Sequence, residues 1–206
     1  MTEYKSVYRY LRKRNAGNLC TDIEEIKRYM VCRGRNPVTE DVTSLAKRAA
    51  AVIDSASSPK GCFVLCGAIP EKDGVNIGGT VFASSDLAEH LDGCRDAILL
   101  AVTLGTPPDR EIKRASATDI SLAYALDCAA CAAIERFADE LCESVASEFV
   151  GRSLTERFSP GYGDLPLEYQ PTIAEILGAG KLIGVGVNDS LLLSPSKSVT
   201  AIVGIR

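Results

Sequence analysis

The sequence contains one histidine, two methionines and no tryptophan among its 206 residues. A metal or catalytic site that requires several imidazoles is therefore excluded. No uncharged apolar run reaches about 18 residues, the length that a membrane-spanning helix needs, so we expect no membrane association. The amino-terminal residues MTEYKSVYRYLRKR lack an apolar segment, which argues against a signal peptide. Eight cysteines without such a signal are typical of reduced thiols, so we expect a cytoplasmic location.

An excess of basic residues is also missing. Lysine and arginine number 23 against 27 aspartates and glutamates, which gives a formal net charge of −4. Nucleic-acid binding depends on a basic surface that neutralises phosphates. The basic runs at 11–14 and 33–35 are short and are explained as solvated helix faces. We therefore expect no nucleic-acid partner.

The apolar and charged fractions, 46% and 24%, are ordinary for a globular protein, and no repeat or composition break divides the chain. Apolar periodicity and end signals predict helices over 3–13, 39–55, 84–91, 112–149 and 171–177. A further helix is predicted to begin at the capping box of residues 21–24. Apolar runs predict strands over 61–69, 75–82, 96–105, 181–188 and 198–205. The prediction is one α+β domain with a largely antiparallel or mixed sheet, comprising a helical amino-terminal part (1–57) and an α/β part (58–206).

Four cysteines occur in two closely spaced pairs, Cys62 with Cys66 and Cys128 with Cys131. Such pairs are able to bind zinc or an iron–sulfur cluster. The first pair shares one face of a strand and the second lies within an alanine-rich helix, where cysteine is commonly a buried apolar residue. We favour burial in the core and predict no metal site.

Two other features have structural explanations. The glycine pattern GAGKLIG at 178–184 follows a helix and precedes a strand, the reverse of a phosphate-binding loop, so Gly178 is predicted to cap the helix. Asp127 is the single charge between Asp119 and Glu135. A buried carboxylate requires a partner, so we expect Asp127 to close a helix end or loop, or to face a ligand.

The segment RFSPGYGDLPL at 157–167 combines a stiffened backbone with functional side chains. Arg157 is able to bind a carboxylate through two parallel hydrogen bonds. Pro160 fixes one backbone angle, and Gly161 allows a conformation barred to other residues. Tyr162 adds an aromatic face with a polar tip. The set suits a zwitterionic ligand with an aromatic base, and it equally suits a rigid cover in which Arg157 forms a surface ion pair.

The same segment resembles a known family. Arg157, Pro160, Gly161 and Tyr162 match the R-x-x-P-G-Y signature of the activation domain of cobalamin-dependent methionine synthase. The helix IERFADELCE at 134–143 and the later pattern P-x-x-S-V-T at 195–200 are also similar, so the resemblance covers roughly 130–203. It implies a free-standing activation-like domain spanning 1–206.

The resemblance further implies a C-shaped α/β fold with a twisted sheet that binds S-adenosylmethionine in a shallow groove at the sheet edge. By this likeness Arg157 holds the ligand carboxylate, Pro160, Gly161 and Tyr162 lie along its adenosine end, and Glu135 on the preceding helix faces the ligand. Ser198 and Thr200 are expected in supporting or cobalamin-facing positions. No catalytic residue is implied, because the family acts by positioning the methyl donor. The family's second ligand-facing acid has no match in this sequence.

The implied partner is a cobalamin-dependent methionine synthase that lacks its own activation domain and carries the cobalamin, with a flavodoxin or ferredoxin-type electron donor. His90 matches only part of the corrinoid motif D-x-H-x-x-G, since Ala88 replaces the aspartate, so we interpret His90 as a surface helix residue. The implied function is support of the reductive methylation of cob(II)alamin, within a methyltransferase system of methionine biosynthesis. Alternatives are an S-adenosylmethionine sensor or docking module, an activator of another corrinoid methyltransferase, and a metal protein.

Overall fold

A computed structural model describes residues 7–11, 19–31, 39–149 and 151–206 of the chain. Its strands are β1 (Val7–Leu11), β2 (Lys60–Glu71), β3 (Gly74–Ile77), β4 (Thr80–Phe82), β5 (Asp96–Thr103), β6 (Gly186–Val187), β7 (Leu193–Ser194) and β8 (Ser198–Ile205). Its helices are α1 (Ile23–Val31), α2 (Glu40–Ala56), α3 (Ser85–His90), α4 (Pro107–Ser116), α5 (Ile120–Ala146), α6 (Tyr169–Ile176) and α7 (Ala179–Leu182).

The main sheet is antiparallel at every pairing that the described residues form. Its strands lie in the order β4-β3-β2-β5-β8, and β1 pairs with the first half of β2 beside β3. Strands β6 and β7 form a separate two-stranded sheet. The predicted α+β class with a largely antiparallel sheet is confirmed.

Both faces of the sheet are covered, which explains why its central strand β5 is an almost continuous apolar run. Side chains alternate along a strand, so Ile98, Leu100 and Val102 join the core formed with α2 and α5. Leu99 and Ala101 point to the opposite core, which α3, α6 and α7 complete. No helix among the described residues is long and apolar enough to cross a membrane.

Helix α5 is the longest helix among the described residues and begins at Asp119, whose side chain accepts a hydrogen bond of 2.9 Å from the Leu122 amide. This is the usual chemistry of a helix amino-terminal cap. The buried side of α5 is rich in small residues that allow close approach to its neighbours: Ala123, Ala125, Ala129, Ala130, Ala132, Ala133 and Ala138. It packs against α1, α2, α4 and the sheet.

The predicted helix over 3–13 is wrong where the structure describes it, because residues 7–11 form strand β1. Residues 3–6 and 12–13 lie outside the described part. The sequence VYRYL is rich in β-branched and aromatic residues, which favour strands. Strand β2 offers an edge for pairing, and Val7 lies opposite Val64. Among the residues that the structure describes, the amino-terminal part is therefore helical only from α1 onward.

Three other predicted elements differ in extent. The strand over 75–82 is a hairpin of β3 and β4, because Gly78 and Gly79 adopt positive φ angles of 60° and 92° and turn the chain. The helix over 112–149 is divided into α4 and α5 by the extended residue Asp119 (φ −149°). The strand over 181–188 is reduced to β6, since 181–182 belong to α7. The remaining predicted helices and strands are confirmed, with Gly178 left-handed at the end of α6. The capping box at 21–24 is wrong in detail, because the Thr21 hydroxyl donates to Asp54 and the Glu24 amide donates to Asp22 Oδ1 instead.

We predict that any side chain at Gly204 in β8 destabilises the fold. A Cβ atom there would lie 2.5 Å from Cys94 Sγ and 2.8 Å from Leu91 Cδ2. Overpacking of this kind costs about 1–3 kcal/mol, so Gly204→Ala should lower the unfolding free energy by that amount in urea titrations. Gly186→Ala is the matched control, because nothing lies within 4 Å of a Cβ at that position. Equal stabilities of the two variants would contradict this packing.

Candidate functional site

The segment after α5 runs along the outer edge of β8. Leu154 and Phe158 form isolated antiparallel bridges with Ile205 and Ile202. The Phe158 amide donates to the Ile202 carbonyl at 2.9 Å, and the Ile202 amide donates back at 2.7 Å. These bonds fix the backbone next to Arg157 at the sheet edge beside α5.

Arg157 bridges two acidic residues of α5. Its Nη2 lies 2.5 Å from Glu135 Oε2, and its Nη1 contacts Asp139 Oδ1. Residues four apart on a helix share one face, so both carboxylates meet one guanidinium. Burial acts to lower the pKa of Arg157, but the hydrogen bond and charge of Asp139, together with the charge of Glu135, raise it above its ordinary value. The structure thus brings together two of the candidate site residues, Arg157 and Glu135, and adds Asp139.

Asp139 was not among the sequence-predicted site residues. The one signal for it was its spacing of one helical turn from Glu135. It supplies a second acid from α5 beside Glu135, and both acids pair with Arg157.

A cleft of about 350 Å³ opens next to this ion-pair network. It is lined by Glu135, Asp139, Cys142, Thr155, Glu156, Arg157, Ser159, Tyr162 and Val199. The lining includes three acidic residues and one arginine, so it carries an excess of negative charge. Such a lining suits a ligand that has one carboxylate for Arg157 and additional positive charge for the acids.

The loop that follows Arg157 is closed by its own backbone hydrogen bonds. The Tyr162 amide donates to the Ser159 carbonyl at 3.0 Å, and the Gly161 amide donates to the Leu165 carbonyl at 2.8 Å. Gly161 has a φ angle of 91°, a conformation that favours glycine, and Pro160 is buried. The shape of the loop is therefore set without a ligand.

Asp164 fastens the loop to the start of α3. Its carboxylate accepts hydrogen bonds from the side chains of Ser84 and Ser85, from the Ser85 amide at 2.8 Å and from the Asp86 amide at 3.2 Å. These donors hold the pKa of the Asp164 carboxyl well below its usual range, the Ser84 hydrogen bond contributing most. Gly163 has a φ of 52°, and a Cβ there would collide with the Asp86 carboxylate. Gly163, the second glycine of segment 157–167, thus allows close contact between the loop and α3.

Tyr162 projects from this loop with 57% of its surface exposed. Its ring packs against Phe158, with centroids 6.2 Å apart, and Phe158 packs against His90 at 5.1 Å. His90 Nε2 also donates to the Glu156 carbonyl at 2.8 Å. His90 is partly exposed at the end of α3, as expected for a surface helix residue, and its ring also supports the segment that carries Arg157.

Ser198 and Thr200 lie away from the Arg157 cleft. Thr200 is only 2% exposed, and its hydroxyl donates to Gln170 Oε1 at 2.9 Å. The Ser198 hydroxyl contacts Thr103 Oγ1 at 2.8 Å and lines a second cleft of about 530 Å³ together with Gln170. Val199, between them, faces the first cleft. Their supporting or cobalamin-facing roles stay predictions.

Asp127 is half exposed rather than buried, so the burial expected from its apolar helix is wrong. It pairs with Lys197, whose Nζ lies 2.7 Å from Asp127 Oδ1 and 3.3 Å from Cys131 Sγ. Lys197 is the more buried partner, with 12% of its side chain exposed. The pair ties the loop before β8 to α5, the structural role that the sequence suggested.

Cys62, Cys66 and Cys128 are buried in the core, as predicted, whereas Cys131 is partly exposed. Burial raises the pKa of the Cys62 thiol to about 12 and that of Cys66 to about 11, so both remain protonated at neutral pH. Within the described ranges, no three histidine, cysteine or acidic side chains are grouped to hold a metal ion.

We predict that the Asp164 carboxylate makes the stability of the fold depend on pH in the acidic range. A carboxyl with a depressed folded-state pKa stabilises the fold fully above its unfolded value near 3.8, and this stabilisation is lost as the pH falls through the folded pKa. Asp164→Asn should lower the melting temperature at pH 7 and show a shallower loss between about pH 4 and 2. Thermal unfolding across that range tests this. Asp189→Asn, another exposed loop aspartate, is the control, and identical pH profiles for wild type and Asp164→Asn would contradict the anchor.

No protein-family model and no curated protein sequence matches the chain. Among solved structures, the crystal structure of the MetH reactivation domain bound to AdoHcy has a similar fold. The TM-score is 0.65 at 17% sequence identity, and the alignment covers 98% of this chain and 79% of that one. Likeness at this identity shows the fold alone. The fold implied by the resemblance to methionine synthase activation domains is thereby confirmed. The expected ligand and partner of this chain stay predictions.

Proposed function

We propose that the chain binds S-adenosylmethionine in the Arg157 cleft and presents its methyl group to a cobalamin carried by a separate methionine synthase. The observation that carries the proposal is the shared contact of Arg157 with Glu135 and Asp139 beside the preformed loop. A similarly folded domain was crystallised with AdoHcy, the demethylated form of the same ligand. These two findings support the ligand class.

The groups in the cleft fit the three polar parts of S-adenosylmethionine. The guanidinium of Arg157 is matched to the ligand carboxylate. The carboxylate of Glu135 is able to accept hydrogen bonds from the ammonium group and to offset the sulfonium charge. Tyr162, exposed on its fixed loop, offers an aromatic face to the adenosine end.

The contribution of this chain to the reaction is positioning. The partner's cobalamin supplies the nucleophile that takes the methyl group. The cleft holds the donor in one orientation at an open surface, and the loop hydrogen bonds and the Asp164 anchor pre-set that orientation. Methyl transfer from a sulfonium needs no general base, which agrees with a lining that contains no nucleophile–base pair beyond its ion pairs.

We predict that Arg157→Lys weakens S-adenosylmethionine binding about tenfold to a hundredfold, because a point charge replaces a bidentate donor. Isothermal titration of wild type and variant measures this. Arg152→Lys, five residues earlier in the same segment and paired with Asp96 at 3.2 Å, is the matched control and should leave affinity unchanged. Equal affinities for wild type and Arg157→Lys would remove Arg157 from the site.

The action in trans is tested by reactivation. A methionine synthase without an activation domain, held as cob(II)alamin, is incubated with an electron donor, S-adenosylmethionine and this protein. Recovery of methionine synthesis should require both the protein and the ligand, and Arg157→Lys should slow recovery at limiting ligand.

Association with that synthase is expected to be weak in the resting state and tighter in the cob(II)alamin state with ligand, since ligand and partner strengthen each other when both favour one docked arrangement. Ligand binding without any association or reactivation would favour a stand-alone S-adenosylmethionine sensor. Reactivation of a different corrinoid methyltransferase alone would reassign the partner.

A further inference from the structure

We infer that Cys131 and Lys197 form a modification site, at which hydrogen peroxide joins the cysteine sulfur to the lysine nitrogen in a reversible covalent bond. Lys197 Nζ lies 3.3 Å from Cys131 Sγ, although the two residues are 66 positions apart in the chain. Neither residue lines the Arg157 cleft, so the inference does not depend on the proposed ligand. It depends on the contact between a thiol on α5 and an amine on the loop before β8.

Lys197 is held against the sulfur by its backbone and by an acid. The Leu104 amide donates to the Lys197 carbonyl at 3.0 Å, and the neighbouring Ser196 amide donates to Asp109 Oδ2 at 2.9 Å. Asp127 Oδ1 lies 2.7 Å from Lys197 Nζ, and only 12% of the Lys197 side chain is exposed. Lysine usually keeps its ammonium group in water, so this burial is unusual for a surface ion pair. The nitrogen is therefore fixed between a carboxylate and a sulfur.

Cys131 is open to a small oxidant, because it is partly exposed, whereas Cys62, Cys66 and Cys128 are buried. Cys128 lies three residues earlier on the same helix and is the competing partner for an oxidised Cys131. Burial raises the pKa of the Cys128 thiol, so this thiol stays protonated and is a poor nucleophile. We therefore expect Lys197, and not Cys128, to trap the oxidised sulfur.

The bond forms in two balanced steps. The Cys131 sulfur attacks one oxygen of hydrogen peroxide, so that an S–O bond forms, the O–O bond breaks, the thiol is oxidised to a sulfenic acid and the peroxide is reduced to water. The Lys197 amine then attacks the sulfenic sulfur. An N–S bond forms and the S–O bond breaks, and the leaving hydroxide takes a proton from the amine as a second water. The chain loses two hydrogens in total.

The ammonium group of Lys197 has to release one further proton before it attacks, and the Asp127 carboxylate is placed to accept it and pass it to solvent. Burial acts to lower the pKa of Lys197, but the hydrogen bond of Asp127 and the charge of a Cys131 thiolate raise it above its ordinary value. A sulfenic acid is neutral, so oxidation removes the contribution of that thiolate charge. Oxidation of the sulfur thus favours the neutral amine that the second step needs.

Peptide mapping tests the inference. Reduced protein is treated with a small molar excess of hydrogen peroxide, its free thiols are blocked with N-ethylmaleimide, and its tryptic peptides are analysed by mass spectrometry. We expect residues 115–136 joined to residues 182–206, uncleaved after Lys197 and about 2 Da lighter than the two peptides together. Dithiothreitol should separate the two peptides, because thiols reduce a sulfur–nitrogen bond.

Three variants locate the bond. Lys197→Arg keeps a positive charge beside Asp127 but replaces the amine by a guanidinium, which does not lose its proton in proteins, so the joined peptide should disappear. Cys131→Ser should abolish it as well, whereas Cys128→Ser should retain it. Melting temperatures before oxidation verify that each variant is folded.

Normal cleavage after Lys197 in oxidised wild type, with only oxygen added to Cys131 or with a disulfide between Cys128 and Cys131, would overturn the inference. A joined peptide that persists in Cys131→Ser would also overturn it. Oxidation in concentrated guanidinium chloride should give no joined peptide, since the contact exists only in the folded chain. Equal yields with and without denaturant would show that the fold does not build this site.

Discussion

The close packing of α5 on the sheet is the constraint from which the site follows. Alanines along its buried side remove the bulk that would separate a helix from β5 and β8. Its other side consequently faces the segment that runs along β8, at a distance that one arginine side chain bridges. We expect a larger residue at Ala132 or Ala138, each within one turn of Glu135 or Asp139, to shift these acids relative to Arg157. The geometry of the ion pairs is thus a result of core packing.

The positive charge of Arg157 is balanced by acidic residues of the same chain. Arg157 is mostly covered, and an unpaired guanidinium there would be costly, so two carboxylates of the same chain neutralise it before a ligand arrives. A ligand with only a carboxylate would gain little, because it would displace an equivalent group. A ligand that also brings positive charge compensates the displaced acid. Under the proposed function, the resting ion pairs therefore favour ligands that bring positive charge over simple anions.

The parts of this structure that sequence reasoning predicted share a local cause. Strands β2, β5 and β8 are long apolar runs between clear end signals, and α2 begins at the cap residue Thr39. The loop after Arg157 was recognised as a rigid candidate site because proline and glycine restrict the backbone locally and because its motif resembles a family signature. Glu135 could be assigned only through that resemblance, since nothing in its local sequence distinguishes it from other helix-surface acids.

The parts that were missed depend on contacts between distant residues. Asp164 accepts hydrogen bonds from Ser84 and Ser85, which lie about 80 positions earlier in the chain, and no local sequence pattern predicts that contact. The segment at 7–11 has spacing compatible with a helix, but the edge of β2 decided in favour of a strand. Asp127 was expected to be buried from its apolar neighbours, yet it lies on the exposed side of α5 and pairs with Lys197.

The segment 153–158 has a second consequence for the behaviour of the protein in solution. Strand β8 pairs with β5 on one side, and its other side would present unpaired amides and carbonyls to any passing chain. Ser153, Thr155 and Phe158 occupy those groups at intervals, and the arginine-bearing loop continues from the same residues. The segment that carries Arg157 therefore also covers the edge of the sheet. Substitutions that loosen segment 153–158 should first cause self-association of the protein during expression and storage, before the overall fold is lost.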